Sequence, residues 1–420
     1  MQHSPDITDR VAFHTPARAP IGVLDVGQLH IDRHFDPVWT HTKNLDEIME
    51  LAKHFDLRQI WLTREFVKAM GLPERISRDT PDHAFFMHSN LGSSLTSSKP
   101  RHFVVLWEHG NGHTVDVCIP QWETAGPWND YSIAVELLGN LLEFYEATGT
   151  LWKHSGGGTS DAWLLAHHRN KLKQTLYPSI AHDGYMEPDL RFADLIPSNG
   201  QYVHSFDGNG AYLGAASSLA LPVGQFRHDN QYTPSAPGYF RFGDRWVTTP
   251  TKRLHFSNQL PDEAYWWPES HQYLTPWYKM IRDARLKLIK YDDANSPQLT
   301  AVKEIYKKGI GRFNWNGRND RTECLFQPYW RHAIQAEARC RIERRLFKLS
   351  HKPFACDVDN LYFTSPFANP IDAAEAIGLP LGINLGEYKY HGSMFTKEAV
   401  EICKEKKVTD RLKGLRERAK

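Results

Sequence analysis

The chain has 420 residues, of which 41% are hydrophobic and 24% charged, a composition typical of folded globular proteins that argues against a disordered chain. Its net charge of +1 conceals a basic stretch at residues 271–352, where 18 Lys or Arg stand against 8 Asp or Glu. This stretch is typical either of a phosphate-binding surface or of a solvated helical face.

Neither the cysteines nor the apolar residues indicate secretion or a membrane span. The five cysteines are odd in number and form no C-x-x-C pair, which argues against a disulfide framework and a thiolate metal centre. The N-terminal residues MQHSPDITDR lack the apolar stretch of a signal peptide, and no run approaches the roughly 18 apolar residues of a membrane span. We therefore expect a cytoplasmic protein with no membrane partner.

Strands and helices alternate in the first half. Residues 20–30 read as one buried strand, residues 44–57 as an amphipathic helix and residues 102–120 as a hairpin. Two further helices are expected, one opening at residues 128–130 and one for which Ser160 is a suitable N-cap. This pattern predicts an α/β domain.

The second half follows a linker-like stretch at residues 185–201. The sequence patterns predict, in chain order, a strand at 202–206, a turn-rich β region at 234–249, basic helices at 273–291 and 296–310, a long helix at 329–349, a hairpin at 353–365 and one basic helix at the C-terminus.

Three segments of the second half carry the residues with the clearest chemical pattern. They are D-G-N-G-A-Y-L-G from Asp207, K-E-I-Y-K-K-G-I-G from Lys303 and D-V-D-N from Asp357. Their order resembles motifs A, B and C of family B DNA polymerases, which read D-x-x-S-L-Y-P-S, K-x-x-x-N-S-x-Y-G and Y-x-D-T-D-S. The residues that match without internal gaps are Asp207, Tyr212, Lys303, Gly311, Asp357 and Asp359.

A fourth segment extends the resemblance towards the C-terminus. Residues 385–389, L-G-E-Y-K, resemble the L-G-x-x-K strand that leads from the palm towards the thumb in that family. The resemblance covers residues 202–390, about half the chain. It has departures: Lys307-Lys308 replace the Asn-Ser pair of motif B, and Val358 and Asn360 replace Thr and Ser in motif C.

The resemblance implies a two-metal site for phosphoryl transfer. Asp207, Asp357 and Asp359 would be the catalytic carboxylates and metal ligands, with the backbone carbonyl of Gly208 as a further ligand. The expected cofactor is a pair of Mg²⁺ ions, or Mn²⁺, because hard carboxylate oxygens suit these ions and two ions can clamp the attacking and leaving oxygens. Residues 357 and 359 would project to the same face of one strand by the two-residue alternation.

The same resemblance implies the contacts with substrates. Tyr212 would pack under the sugar of a deoxynucleoside triphosphate and exclude a 2′-hydroxyl. Lys303 would bind the triphosphate, together with an arginine of the preceding helix, either Arg282 or Arg285. The residues expected to contact the primer-template DNA are Lys307, Lys308, Arg312, Arg341 and Lys389.

The first half is where a family B enzyme carries its 3′–5′ exonuclease. Such a domain needs D-x-E on its first strand, whereas this chain has Asp25-Val26-Gly27 and lacks the glutamate. Asp130 and Asp161 are the remaining acids that could be remnants of such a site. We therefore expect an RNase H-like scaffold without proofreading activity.

Together these patterns predict a multidomain protein that combines α/β and α+β folds. An RNase H-like domain at residues 1–195 would precede a palm, an antiparallel sheet with helices, at 196–268 and 313–392. A helical fingers insertion would lie at 269–312 and a basic helix, the remnant of a thumb, at 393–420.

The function expected from these patterns is template-dependent DNA synthesis in a specialised setting such as a mobile element, plasmid or phage. A replication partner protein would fit the reduced thumb. The alternative is a catalytically impaired DNA-binding relative that acts at replication origins or DNA ends. A nuclease built on the first half lacks the acidic pairs that it would need.

Overall fold

The computed structural model describes most of the chain. The described residues are 21–31, 38–72, 84–86, 91–93, 103–108, 113–118, 131–132, 134–135, 156–183, 189–194, 200–232, 236–248, 260–291, 297–315 and 323–419. Within them, no helix has the length and apolar character needed to cross a membrane.

The helices of the described residues range from 4 to 21 residues in length. In chain order they are α1 (Leu45–His54), α2 (Arg64–Ala69), α3 (Gly156–Gln174), α4 (Ser179–His182), α5 (Ala211–Ala216), α6 (Thr275–Tyr291), α7 (Pro297–Arg312), α8 (Pro328–Lys348), α9 (Pro370–Ile377), α10 (Thr396–Cys403) and α11 (Val408–Ala419). The predicted helices at 44–57, 273–291, 296–310 and 329–349 are confirmed within a few residues.

The chain divides into two compact units, residues 1–163 with 288–309 and residues 164–287 with 310–420. The first unit contains one mixed sheet, in the order β3-β2-β1-β4-β7-β6-β5. Its strands are β1 (Ile21–Asp25), β2 (Gln28–Ile31), β3 (Val38–Trp39), β4 (Gln59–Leu62), β5 (Leu91–Ser93), β6 (Phe103–Glu108) and β7 (Thr114–Cys118). β1, β4 and β7 run parallel, while β2 and β3 continue from β1 as an antiparallel meander.

The single strand predicted at residues 20–30 is wrong, because the segment is a hairpin. Asp25 pairs with Gln28, and Gly27 takes a φ of +77°, a left-handed conformation that favours glycine. The position where D-x-E would place its glutamate is therefore a turn glycine. The Thr63 hydroxyl donates to the Asp25 carboxylate, and Gln28 approaches it at 3.4 Å.

Helix α1 forms where the spacing of apolar residues predicts it. Asn44 caps the helix by accepting the Glu47 N–H at 2.9 Å. Its buried face, which includes Leu45, Ile48 and Ala52, packs in the core of the first unit together with residues of β1, β4 and β7.

Two predictions for the first half fall only partly on described residues. The hairpin at 102–120 is confirmed as β6 and β7, but its turn lies outside the described residues. Residues 131–132 and 134–135 are helical, and the rest of the helix predicted from residue 128 lies outside them as well. Helix α3 begins at Gly156, not after Ser160.

The second unit contains three antiparallel sheets. The largest has the order β18-β9-β17-β16-β8, a four-stranded sheet has the order β11-β14-β12-β13, and β10 pairs with β15. The strands are β8 (Arg191–Ala193), β9 (Tyr202–Gly208), β10 (Leu221–Pro222), β11 (Arg227–His228), β12 (Gly238–Phe242), β13 (Arg245–Thr248), β14 (Glu263–Trp266), β15 (Ser270–His271), β16 (Ala355–Asp357), β17 (Asn360–Ser365) and β18 (Tyr388–Phe395). The strand predicted before Asp207 and the hairpin predicted at 353–365 are confirmed as β9 and as β16 with β17.

Each face of the five-stranded sheet has its own apolar core. On one face, residues such as Val203, Tyr362 and Met394 cluster with buried residues of α10 and α11. On the other face, residues such as Phe206 and Leu361 cluster with buried residues of α8 and α9. The sheet is therefore the middle layer of a helix–sheet–helix arrangement.

Two predictions about the second unit need correction. The linker-like stretch at 185–201 contains β8, which is too short for an alternation pattern to reveal. The C-terminal segment is not one helix, because β18 runs to Phe395 and two helices follow. Helices α10 and α11 are separated at Lys404–Lys407, a charged run with no apolar side chain to pack.

The fold predicts one pH effect through His204 of β9. This ring is fully buried, its Nε2 lies 2.8 Å from the Phe367 carbonyl, and burial lowers the pKa below 6.5. As the pH falls, His204 is therefore protonated in the unfolded chain before it is protonated in the folded protein. The free energy of unfolding keeps its full value above about pH 6.5 and decreases as the pH falls through the folded pKa. Urea unfolding at several pH values measures this decrease. It should be smaller in His204→Asn, and it should equal that of the wild type in His271→Asn, which changes an exposed histidine.

Candidate active site

A row of polar residues crosses all five strands of the large sheet. The pairing is in register from edge to edge: Arg191 faces Asp357, Asp357 faces Asn360, Asn360 faces Asp207, and Asp207 faces Lys389. Directly opposed residues of antiparallel strands project to the same face, so these five side chains form a cross-strand row. The folding of the sheet brings Asp207 and Asp357 together although they are far apart in sequence.

The charged residues of this row are paired within it. The Lys389 ammonium lies 2.9 Å from an Asp207 carboxylate oxygen, and Arg191 Nε lies 3.2 Å from Asp357 Oδ1. Between the two acids, Asn360 accepts from the Ser205 hydroxyl at 2.9 Å and donates to the Tyr362 hydroxyl at 2.8 Å. The predicted DNA contact Lys389 is therefore a direct neighbour of Asp207.

Asp357 is the most deeply buried of the three predicted carboxylates. Its side chain is only 4% exposed, and Arg416 of α11 forms an ion pair with its second oxygen, Oδ2. One arginine thus neutralises each carboxylate oxygen. The charge of this buried carboxylate is therefore compensated by one arginine of the sheet and one of α11.

Asp359 lies in the turn between β16 and β17, which corrects the expectation that residues 357 and 359 share one strand face. β16 ends at Asp357, and Val358 has a φ of +64° in the turn. Alternation applies only along a strand, so it does not carry across this turn. The Asp359 carbonyl accepts the Gly208 N–H at 3.0 Å, which places Asp359 beside the end of β9.

Two tyrosines lie near Asp359. Burial raises the pKa of Tyr388 to about 12, and the charges of Asp359 and Asp207 contribute in the same direction. Burial also raises the pKa of Tyr212 on α5, with Asp189 and Asp359 as further causes. The charge of Asp359, one of the predicted catalytic acids, therefore acts on Tyr212, the predicted sugar contact.

A cleft of about 1040 Å³ adjoins the turn that contains Asp359, on the α8 side of the sheet. Four cations of α8 line it, and Asp359 and Glu337 are the acids in its wall. The lining also includes glycines at the end of β9 and around α5, where the backbone itself forms the surface. The residues in question are Arg341, Arg344, Arg345 and Lys348 for the cations, and Gly208, Gly210 and Gly214 for the glycines.

The cleft cations are held by local contacts. Arg341 donates to the Gly214 carbonyl at 2.9 Å and pairs with Glu337 at 2.7 Å, and Arg345 donates to the Gly386 carbonyl at 3.1 Å. Arg344 also reaches Glu337. These contacts orient the guanidinium groups along the cleft, and each guanidinium has five N–H donors with which to bind an anion.

The two candidate arginines of α6 have different surroundings. Arg282 pairs with the adjacent Asp283 at 2.8 Å. Arg285 is only 3% exposed, and it donates to the Asn209 side chain at 3.4 Å and to the Ile383 carbonyl at 3.3 Å. Arg285 therefore supports the loop that follows Asp207 and Gly208.

The remaining predicted cations lie on α7. Lys303, Lys307 and Lys308 belong to the first unit, whereas the acid row belongs to the second. Lys308 forms an i, i+4 pair with Glu304 at 3.0 Å. Arg312 belongs to the second unit, where its guanidinium lies 4.7 Å from the centre of the Trp315 ring.

The predicted pair of magnesium ions requires carboxylate ligands that lie close together. Among the described residues, no group of three or more His, Cys, Asp or Glu side chains is arranged to hold a metal ion. Carboxylate oxygens such as those of Asp207, Asp357 and Asp359 suit magnesium, and in this structure Asp207 is paired with Lys389 and Asp357 with two arginines. The three-carboxylate arrangement expected from the sequence is therefore absent from this part of the chain.

Sequence reasoning missed three charged residues of the site. Asp189 accepts from the Tyr212 hydroxyl at 3.3 Å, while Arg191 and Arg416 hold Asp357. Arg191 is the first residue of the three-residue strand β8 and Asp189 lies just before it, in a stretch that resembles a linker. Arg416 lies in the C-terminal helix, and no local pattern indicates that it reaches an acid of the sheet.

Comparisons with known proteins gave structural likenesses and no sequence match. No protein-family model matches the chain, and no curated protein matches it. Among solved structures, Phi29 DNA polymerase complexed with primer-template DNA is 10% identical with a TM-score of 0.49, over 90% of this chain and 85% of that chain. Its ternary complex with primer-template DNA and incoming nucleotide has a TM-score of 0.45 at 10% identity and the same coverage. The family B DNA polymerase of the archaeon Pyrobaculum calidifontis is 12% identical with a TM-score of 0.30, over 96% of this chain and 65% of that chain.

Proposed function

We propose that this chain is a DNA polymerase of the family B type that carries out template-dependent nucleotidyl transfer. One observation carries the proposal. The antiparallel sheet places Asp207 at the end of β9 and Asp359 in the adjoining turn, and Asp359 lines a cleft with four cations of α8 in its wall. Carboxylates at an adjoining strand end and turn, with a basic cleft beside the turn, suit phosphoryl transfer between polyanionic substrates.

Asp207 and Asp359 would hold the magnesium ions, which when bound supply charge neutralisation at the transferring phosphoryl group. Lys389 would compensate the charge of Asp207 and contact the primer strand. Asp357 would act indirectly, because its pairs with Arg191 and Arg416 fix the strand end from which the turn projects.

The cations of the site would divide into two groups by substrate. Arg341, Arg344, Arg345 and Lys348 would bind DNA phosphates in the cleft. Of the two α6 arginines, we assign the nucleotide-binding role to Arg282, because Arg285 is buried against Asn209 and Ile383. Lys303 would bind the triphosphate, and Lys307, Lys308 and Arg312 would bind DNA.

The first unit would be an RNase H-like scaffold without proofreading activity. Its mixed sheet with a three-stranded antiparallel meander is compatible with that scaffold. Asp25 ends β1, and a turn begins immediately after it. Where a second acid would stand, the chain has Gly27, so the paired carboxylates that a two-metal exonuclease uses are incomplete at this strand.

The C-terminal segment would replace a thumb with two short helices. Helices α10 and α11 pack against the large sheet and contribute to its core. We assign the protein a specialised role in replication of a mobile element, plasmid or phage, with a partner protein that supports it on DNA.

Primer extension tests the proposed function. A labelled primer on a longer template, incubated with the four deoxynucleoside triphosphates and Mg²⁺, should be extended by the wild type and not by Asp359→Ala. Asp372→Ala on the exposed side of α9 serves as a matched acid control and should extend normally. Failure of the pure wild-type protein to extend any primer with Mg²⁺ or Mn²⁺ would contradict the proposal.

A second candidate function is that of a DNA-binding protein with a polymerase fold and no activity. One specific observation favours it: Asp207 and Asp357 are already neutralised by Lys389, Arg191 and Arg416. Under this alternative the acids are structural, and DNA binding is the function. The primer-extension result separates the two candidates.

Both candidates predict that the cleft of α8 binds DNA phosphates. Replacing Arg344 and Lys348 together by alanine should weaken DNA binding and lower the slope of log K against log salt by about 1–2, since two phosphate contacts are lost. Fluorescence anisotropy over a salt series measures both quantities. Arg339→Ala is the control on the same helix, because Arg339 pairs with Glu343 and is not part of the cleft wall. A slope equal to that of the wild type would mean that DNA does not enter this cleft.

A further inference from the structure

The segment that carries Asp189 is tied directly to the turn of the candidate active site. Arg191 of β8 faces Asp357 of β16 in the sheet. Next to this pair, the N–H of Val358 donates to the carbonyl of Leu190 at 2.9 Å. The backbone before β8 is therefore fixed against the turn that contains Asp359. Asp189 lies at the point where this segment reaches the turn.

The carboxylate of Asp189 has two partners. Its Oδ1 accepts the Tyr212 hydroxyl at 3.3 Å, and its Oδ2 lies 3.5 Å from the Arg191 guanidinium. Only a quarter of the side chain is exposed. Arg191 in turn pairs with Asp357, so a continuous chain of contacts runs from Tyr212 through Asp189 and Arg191 to the acid row.

Tyr212 needs this acceptor to keep its position. The residue lies at the start of α5, directly after the Gly208–Gly210 turn that follows Asp207. Burial raises its pKa and the charges of Asp189 and Asp359 raise it further, so the phenol stays protonated and donates at neutral pH. The hydroxyl of Tyr212 is thus held by a carboxylate of the segment before β8, and the charge of Asp359 also acts on it.

We infer that Asp189 is a positioning residue for nucleotide selection. By accepting the Tyr212 hydroxyl it holds the ring at the sugar position beside Asp359, and so it sets the discrimination between deoxyribonucleotides and ribonucleotides. This inference rests on the proposed polymerase function and adds a residue that no motif resemblance indicates. A tyrosine without its acceptor can turn away, and the space for a 2′-hydroxyl then opens.

Single-nucleotide insertion measures this role as the ratio of kcat/KM for a deoxynucleoside triphosphate to that for the matching ribonucleoside triphosphate. Asp189→Ala and Tyr212→Phe should each lower the ratio by roughly fivefold to tenfold, the effect of one hydrogen bond. The double variant should match either single variant, because both changes remove the same contact. Asp189→Asn keeps an acceptor oxygen and should restore most of the ratio.

A purely structural role for Asp189 would lower kcat/KM for both sugars equally and leave the ratio unchanged. Asp194→Ala, an exposed acid at the other end of β8, is the control and should behave as the wild type. A wild-type ratio in Asp189→Ala, or effects that multiply in the double variant, would overturn the inference. Tyr212→Phe removes the same hydrogen bond without disturbing Asp189, so an unchanged ratio in that variant overturns it even where Asp189→Ala does not fold.

The outcome for the wild type separates this inference from the proposed function. A wild type that extends no primer overturns the polymerase proposal and this role with it. A wild type that extends primers, with the ratio unaltered in the variants, overturns the role of Asp189 alone.

Discussion

Asp359→Asn is expected to reduce magnesium-dependent primer extension by about 10³-fold, whereas Asp357→Asn should reduce it only about tenfold. The two acids are separated by one residue, but the structure gives them different surroundings. Asp359 lies in the wall of the basic cleft beside the end of β9, while Asp357 is buried between Arg191 and Arg416. Loss of a group that acts directly on the reacting phosphate has the larger effect, and loss of a supporting group typically costs 10–100-fold.

The measurement is the single-turnover rate of insertion at saturating nucleotide for both asparagine variants. Asparagine keeps the size of the side chain, so the comparison isolates the negative charge. Thermal unfolding of each variant shows whether the fold is intact. Equal losses for the two variants would contradict the assignment and would restore Asp357 to the role that the D-x-D motif suggests for it.

The second large effect concerns stability. Replacing Arg191 and Arg416 together by methionine should lower the free energy of unfolding by about 3 kcal/mol, because a buried carboxylate loses both of its cations. Each single replacement should cost about 1 kcal/mol, since the remaining arginine still neutralises Asp357 and each arginine is itself about half exposed. Urea unfolding with an unchanged m-value reports this difference directly.

Arg418→Met provides the matched control for the stability prediction. Arg418 lies on the same helix, α11, and pairs with Glu398 at the surface. An exposed pair contributes about 0–1 kcal/mol, so this variant should stay near the wild type. Adding Asp357→Asn to the double methionine variant should restore most of the lost stability, because the uncompensated charge is then removed. A double variant as stable as the control would show that Arg191 and Arg416 do not hold Asp357.

Local patterns in the sequence were sufficient for much of the second unit. The strand before Asp207, the hairpin around residues 357–359 and the long helix α8 were all predicted, because each has an apolar period or a turn signal of its own. The hairpin at residues 21–31 was missed, because its two strands are short and Gly27 is the only sign of a turn between them.

The surroundings of each acid depend on contacts between segments that are distant in the chain. Lys389 reaches Asp207 because β18 is the edge strand beside β9, and Arg191 reaches Asp357 because the short strand β8 pairs with β16. Periodicity describes one segment at a time, so it does not indicate which strands become neighbours. The same limit applies to Asp189, whose contact with Tyr212 joins two segments that carry no common motif.

The three carboxylates and the basic block were evident from the residues themselves, because acids at a strand end and at a hairpin turn form a local pattern. Tertiary structure decided how those acids differ. The pairing order of five strands and the packing of the C-terminal helix bury Asp357 between two arginines, and the positive φ of Val358 turns Asp359 away from that row towards the cleft. The physical reason is that the protonation, burial and ion pairing of a carboxylate are set by its neighbours in space, most of which lie far from it in the chain.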